Sequence, residues 1–274
     1  MDRNKIVGIA AAATVMAAGA ALACSNTSAP NSQAGTFYGP SRDIGQGSAR
    51  AWVQTAADGT PTALGIDMTE QALLGLPTVA TPPNPTAVML SLTLPSQAAG
   101  TGFDHAELGW NPQGHEPAVI YGAPHFDLHF YMVSSAKEMA ILPSDPQYAA
   151  KAAHFPAAAY VPVGYVPPPG PAASNAVPQM GLHWSSTSAP EFNGQPFSST
   201  FIYGSWDGDF IFLEPMITKA YLETHPNLTQ AIPQPASWGA SGRFPKTYSV
   251  KYDATAKTYR VTLSELTKHT AGGN

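Results

Sequence analysis

Cysteine is almost absent from this chain. Its single occurrence, Cys24, excludes an intramolecular disulfide and any metal cage built on several thiolates. Charge is scarce as well. Lys and Arg number 13 and Asp and Glu 18, so charged residues make up 11% of the 274 positions, where an ordinary soluble domain carries about 25%. No cluster of Lys or Arg occurs, which speaks against a nucleic-acid partner. No Gly-rich phosphate loop opens a helix, and Ser205 in Gly204-Ser205-Trp206-Asp207-Gly208 lacks the spacing of a nucleophile elbow. Neither an internal repeat nor a strand-helix-strand rhythm is present. After the first residues, no apolar run is long enough to span a bilayer.

What is there begins with an address. Asp2, Arg3 and Lys5 precede an uncharged apolar run from Ile6 to Ala20, which ends in Ala21-Leu22-Ala23-Cys24. This is the layout of a bacterial secretory signal rather than of a fold element. Ala21-x-Ala23 suits general signal cleavage, and Ala23-Cys24-Ser25 suits a lipoprotein site with Cys24 as the lipidated residue. The sole cysteine falling at this junction favours lipidation. The expected organisation is a signal peptide over residues 1–23, a polar tether over 24–35, and one β-rich domain over 36–274, with a division into two lobes near 160–175 as the alternative. Such a protein is exported to the cell envelope, in the periplasm or at the outer membrane, or is secreted. Its membrane contact is then the N-terminal lipid. The sequence leaves a homo-oligomer and a small-molecule ligand open.

Hydrophobic residues at 44%, with 10% aromatics, support a packed core and exclude global disorder. Asp58-Gly59 and Asp207-Gly208 each sit between apolar runs and predict hairpins. Lys246 to Tyr252 and Thr258 to Leu263 alternate cleanly and predict a terminal hairpin. Helix starts are expected at Thr69, at the capping box Ser135-x-x-Glu138, at Asp145-Pro146 and at Thr218. Tyr160 to Pro171 is too rich in proline for a central strand. The predicted fold class is mainly β, with a minor α+β character: antiparallel sheets in a sandwich- or barrel-like domain with a few short helices.

The clearest strand is His125 to Val133. Side chains alternate along it, so Phe126, Leu128, Phe130 and Met132 face one way and His125, Asp127, His129 and Tyr131 the other. Neighbours on one face are about 6.5–7 Å apart at Cα, close enough to converge on one ion. A solvated polar face or a hydrogen-bonded polar core would show the same alternation. His115 in a turn-rich loop, His183 beside Gly181, and Glu214 within Phe212-Leu213-Glu214-Pro215-Met216 extend the candidate set. Glu214, flanked by apolar residues, is expected to be buried and to need a proton, a partner or a metal. The metal-ligand candidates are therefore His125 and His129, completed by His183, His115, Asp127 or Glu214. Their N/O chemistry suits Zn, Fe, Mn, Cu or Ni. His105, His154, His225 and His269 carry no distinguishing signal. The pair Asp104 and Glu107 is an ordinary surface pairing in a loop or helix. The five tryptophans are read as core before they are read as a carbohydrate face.

Five blocks follow one another in order: Asn111-Pro112-Gln113-Gly114-His115-Glu116-Pro117, Pro124 to Met132, Met180 to Trp184, Phe201 to Gly208, and Phe212 to Thr218. Together they resemble the Thermus TTHB-type family of secreted bacterial domains of unknown function, over roughly Ala49 to Thr224. The resemblance implies a secreted β-rich domain, often behind a lipoprotein signal, and implies no reaction. His125, Asp127, His129, His183 and Glu214 fall within these blocks, but their role as ligands is read from the residues and not from the family. A metal-dependent enzyme, a metal-binding or storage module and a structural envelope protein all remain compatible with the sequence.

Overall fold

Short alternating runs separated by Asp-Gly and proline breaks leave hairpins as the local solution, and the chain takes it. The computed structural model describes residues 33–272. The expected signal segment, Cys24 and most of the expected tether lie outside them, and Gly35, the tether's last residue, opens a strand. Asp58-Gly59 turns Gly47–Thr55 back on Pro61–Thr69, and Asp207-Gly208 turns Ser199–Trp206 back on Asp209–Thr218. Thr247–Asp253 and Thr258–Ser264 form the expected terminal hairpin.

These hairpins assemble into two large antiparallel sheets. The first runs Gly35–Tyr38, Gly47–Thr55, Pro61–Thr69, Thr258–Ser264, Thr247–Asp253, Asn227–Ala231, with Arg42–Ile44 also paired to Gly47–Thr55. The second runs Val88–Thr93, His105–Asn111, His125–Tyr131, Asp209–Thr218, Ser199–Trp206, Leu182–Ser186, Tyr165–Val166. A small pair, Gly242–Phe244 with Thr267–His269, completes the strands among the described residues. The two large sheets pack as a sandwich. Ala51, Val53, Leu64 and Ile66 of the first share a core with Leu108, Phe126, Leu128 and Phe130 of the second. Each fully buried Val, Leu, Ile or Phe side chain among these contributes about 1.5–3 kcal/mol. Trp110, Trp184 and Trp238 enter this core, as the core reading of the tryptophans expects, while Trp52 is buried on the outer face of the first sheet under Arg260.

Helices are short. Thr218 caps Lys219–Leu222 as expected, its Oγ1 accepting from the Tyr221 amide at 3.2 Å. The other starts differ. Glu70–Leu73 is a 3-10 turn, and Thr69 Oγ1 accepts from the Ser48 amide at 3.0 Å across the sheet instead of capping. Asp145 Oδ1 accepts from the Gln147 amide at 2.8 Å, and the helix begins only at Tyr148–Ala153. Over Ser135–Met139 the capping box does not form, because Glu138 turns to His105. Within the proline-rich stretch only Tyr165–Val166 is a strand, at the sheet edge. Tyr165 is buried there, and its hydroxyl donates to the Phe201 carbonyl at 2.8 Å. No helix among the described residues is long and apolar enough to cross a membrane.

Candidate metal centre

All seven residues of His125–Tyr131 are buried. The alternation therefore does not mark a solvated face. Phe126, Leu128 and Phe130 enter the sandwich core. The opposite face is covered at one end by Tyr121 with Ile120 and Phe197, and at the other by Ile141 and Tyr148. On it the six predicted ligands gather in two triads rather than one set. His115, His125 and Asp127 form the first and His129, His183 and Glu214 the second. His125 and His129 thus serve different triads. Their side chains share a face but stand two pleat repeats apart, with Asp127 between them, and each finds nearer partners.

In the first triad, His125 Nε2 lies 3.1 Å from Asp127 Oδ1 and His115 Nε2 lies 3.6 Å from Asp127 Oδ2. His125 Nδ1–H donates to the Ala123 carbonyl at 2.7 Å, and His115 Nδ1–H donates to the Glu116 carbonyl at 2.8 Å. Both rings then point their Nε2 atoms at a carboxylate, in the orientation that metal-bound histidines adopt. Asn111 Nδ2–H donates to Asp127 Oδ2 at 2.6 Å and is itself held by the Thr86 hydroxyl at 2.8 Å. In the second triad, His129 Nε2 is 3.4 Å from Glu214 Oε1 and His183 Nε2 is 3.6 Å from Glu214 Oε2. Strand Ser199–Trp206 runs between Glu214 and His183. His183 crosses it at Gly204, the residue opposite it in register, where no side chain intervenes.

These spacings are informative. A tetrahedral ion with bonds of about 2.0–2.1 Å holds its ligand atoms about 3.3 Å apart. The closest approaches of 3.1, 3.4 and 3.6 Å bracket that value. Eight buried side-chain polar atoms among the described residues have no hydrogen-bond partner, and five belong to the triads: His125 Nε2, Asp127 Oδ1, His129 Nδ1, His129 Nε2 and Glu214 Oε2. Buried polar atoms are normally paired, so a concentration of orphans at converging lone pairs fits a cation. Charge follows the same geometry. Burial pushes His129 down to about 4, and burial with the nearby His129 charge pushes His183 down to about 3. Burial, with the Asp127 charge beside it, raises the Glu214 carboxyl well above the usual range. Burial would raise Asp127 too, but the charges of His125 and His115 beside it hold it well below the usual carboxylate range.

A third cluster went unpredicted. His105, Glu107 and Glu138 also bring ligand atoms together, and all three clusters are geometrically compatible with a divalent ion. His105 differs from the other histidines. Its Nδ1–H donates to Asp104 at 3.0 Å and its Nε2–H to Glu138 at 3.0 Å, so both nitrogens are occupied. Burial opposes its charge, but these two hydrogen bonds outweigh it and raise its pKa. Burial, then the Glu138 charge, raises Glu107 to about 7. Asp104 pairs with His105 and not with Glu107. The available signal was period two: His105 and Glu107 alternate on their strand as His125 and Asp127 do. Glu138 was hidden by its fit to a capping box. Ser205 is no nucleophile: it is buried and its Oγ accepts from Trp184 Nε1 at 2.8 Å.

Residues 57–110 match the family described as TTHB210-like, hypothetical protein TTHB210. The match is partial and ends before the first of the five blocks on which the wider resemblance rests. It contains His105 and Glu107 and none of the six triad residues. No curated protein and no solved structure matches the chain.

Proposed function

We propose that this protein is an exported, lipid-anchored envelope domain that binds divalent metal through two triads, each made of two histidines and one carboxylate. The observation that carries the metal reading is the set of four unpartnered buried ligand atoms, His125 Nε2, Asp127 Oδ1, His129 Nε2 and Glu214 Oε2, each within 3.1–3.6 Å of another ligand atom of its triad. His115 and His183 keep the most exposed side-chain surface of the six ligands, 23% and 20% against 7% or less for the others, which gives each triad a route for an ion to reach it. The remaining ligands lie under Tyr121, Phe197, Ile141 and their neighbours, which favours holding an ion over turning over a large substrate. Zinc suits such a set, as do Fe, Mn, Cu and Ni. Export rests on the charged start, the apolar run and Ala21-Leu22-Ala23-Cys24, and the family resemblance points the same way. Lipid on Cys24 is then the membrane contact, with two or more acyl chains needed for a stable anchor. The scarcity of Lys and Arg supports no nucleic-acid partner.

Elemental analysis of the dialysed protein tests the metal reading. Wild type is expected to retain two ions per chain, His125→Ala one, and His125→Ala/His129→Ala none. Sub-stoichiometric metal that is the same in wild type and the double variant sinks it. The anchor is tested by detergent phase partitioning, with wild type in the detergent phase and Cys24→Ser in the aqueous phase; a Cys24→Ser protein that still follows the detergent overturns lipidation. Catalysis is the second reading, because three protein ligands leave a coordination position for water. An exchangeable water on the bound ion would favour it.

A further inference from the structure

The outer face of the first sheet carries a site of different chemistry. Along Gly47–Thr55, Ala49, Ala51 and Val53 enter the core, which turns Ser48, Arg50 and Trp52 outward. Register aligns Arg50, Asp67, Arg260 and Lys251 in one row across four strands. In a chain so poor in charge, three cations and one carboxylate in a row are conspicuous. Arg260 takes both oxygens of Asp67, Nε–H to Oδ1 at 2.8 Å and Nη2–H to Oδ2 at 2.7 Å. Its Nη2 also reaches the Tyr38 hydroxyl at 3.2 Å. Asp67 is thereby neutralised within the sheet. Arg50 is stacked on the Tyr38 ring, 3.7 Å from its centroid, and among the described residues no carboxylate lies within ion-pair reach of it.

Arg50 faces a cleft lined by Ser41, Ser48, Asp67, Thr69 and Thr258. Thr69 Oγ1 accepts from the Ser48 amide, which leaves its own hydroxyl hydrogen free to donate. The lining is thus rich in donors and holds an unneutralised guanidinium fixed in orientation by stacking. A cation is disfavoured there. Sugar stacking is disfavoured too, since guanidinium groups already cover the Tyr38 and Trp52 rings. A planar guanidinium fork matches a phosphate or carboxylate group with two parallel hydrogen bonds. We propose that this cleft binds an oxyanion, the phosphate or carboxylate of a small soluble molecule, through Arg50 with Ser48 and Thr69. This site is remote in sequence from the triads and independent of the metal reading.

The test is a titration of the full chain with sodium phosphate, followed through the arginine side-chain N–H resonances, with sodium chloride at matched ionic strength as control. Phosphate is expected to give a saturating shift with a Kd on the order of millimolar, and Arg50→Gln to weaken it at least about tenfold. Arg50→Lys is expected to fall between, because it keeps charge and loses the fork. Vesicles containing phosphatidylglycerol form a second arm: competition by vesicles at lower phosphate concentration than the free ion would replace the soluble ligand with a headgroup and overturn the soluble assignment. Unchanged phosphate affinity in a folded Arg50→Gln, or a wild-type shift that chloride reproduces, overturns the site. If Arg50→Gln fails to fold, Ser48→Ala/Thr69→Val carries the test, with several-fold weaker binding expected and unchanged binding decisive against it.

Discussion

A histidine can ligate an ion only through the nitrogen that its other nitrogen leaves free, and the histidines on this sheet face separate on that criterion. His115 and His125 spend Nδ1–H on backbone carbonyls and offer Nε2. His105 spends both nitrogens on carboxylates and holds a proton instead. Sequence alone shows neither choice, because tautomer and partner depend on which loop lies over the ring. That is why His115 and His183 could be nominated as ligands while His105 could not be told from an ordinary histidine. Glu107 beside it gives a checkable consequence. Its carboxyl titrates near pH 7 in the folded protein against an ordinary value of 4.5. The folded state therefore keeps a proton that the unfolded state releases, so the stabilisation is complete below about pH 4.5 and is lost as pH rises to about 7. In chelated protein, Glu107→Gln is expected to be more stable than wild type at pH 8 by on the order of 1–2 kcal/mol. The gap should close toward pH 4.5 in urea unfolding measured at both pH values. A gap that is equal at the two would show that Glu107 titrates normally.

At the scale of the strand, period-two alternation placed His125, Asp127 and His129 together on one face, and the fold keeps them there. What alternation could not convey is which neighbours complete each set. Glu214 is brought beside His129 by the pairing of Asp209–Thr218 with His125–Tyr131, and His183 arrives from two strands further on. These are contacts between residues far apart in the chain, and no local pattern encodes them. The same limit explains the helices: Thr69 and Glu138 have the right residues for caps, but a cross-sheet amide and a buried imidazole compete for them. Gly204 shows how the second triad depends on an intervening strand. A Cβ there would overlap the Phe212 ring, so even alanine must displace the ring that packs against His129 and His183. Gly204→Ala is expected to cost about 1–3 kcal/mol of stability. It should also remove one of the two ions while the His115, His125 and Asp127 triad keeps the other. Elemental analysis of the folded variant decides this, since retention of both ions would mean that His183 does not depend on the gap at Gly204.

For the whole molecule, the sandwich places its candidate ions on the side of the second sheet away from the shared core, so metal and core contribute separately to stability. The partial family match reaches from the first sheet into the second and stops short of every triad residue, so the metal reading stands on geometry alone. Without an ion, burial drives Glu214 to hold a proton and His129 and His183 to stay neutral, which avoids buried charge. The unpartnered atoms remain, each costing about 1–3 kcal/mol when buried and unsatisfied. The core does not depend on them, so the metal-free protein is expected to stay folded and to melt earlier. An ion present at a thousand times its Kd stabilises by about 4 kcal/mol, which for a domain of this size corresponds to on the order of 10 °C in Tm per filled site. Thermal melts should therefore show a drop on chelation that zinc reverses in wild type and in His105→Ala. In His115→Ala/His183→Ala, which lacks one ligand of each triad, both the drop and the recovery should be largely lost. The two variants separate the clusters: a response that disappears with His105 and survives the loss of His115 and His183 would move the metal to the third cluster, and a wild-type Tm indifferent to chelator and zinc would leave the buried ligand atoms of the triads without a cation to answer them.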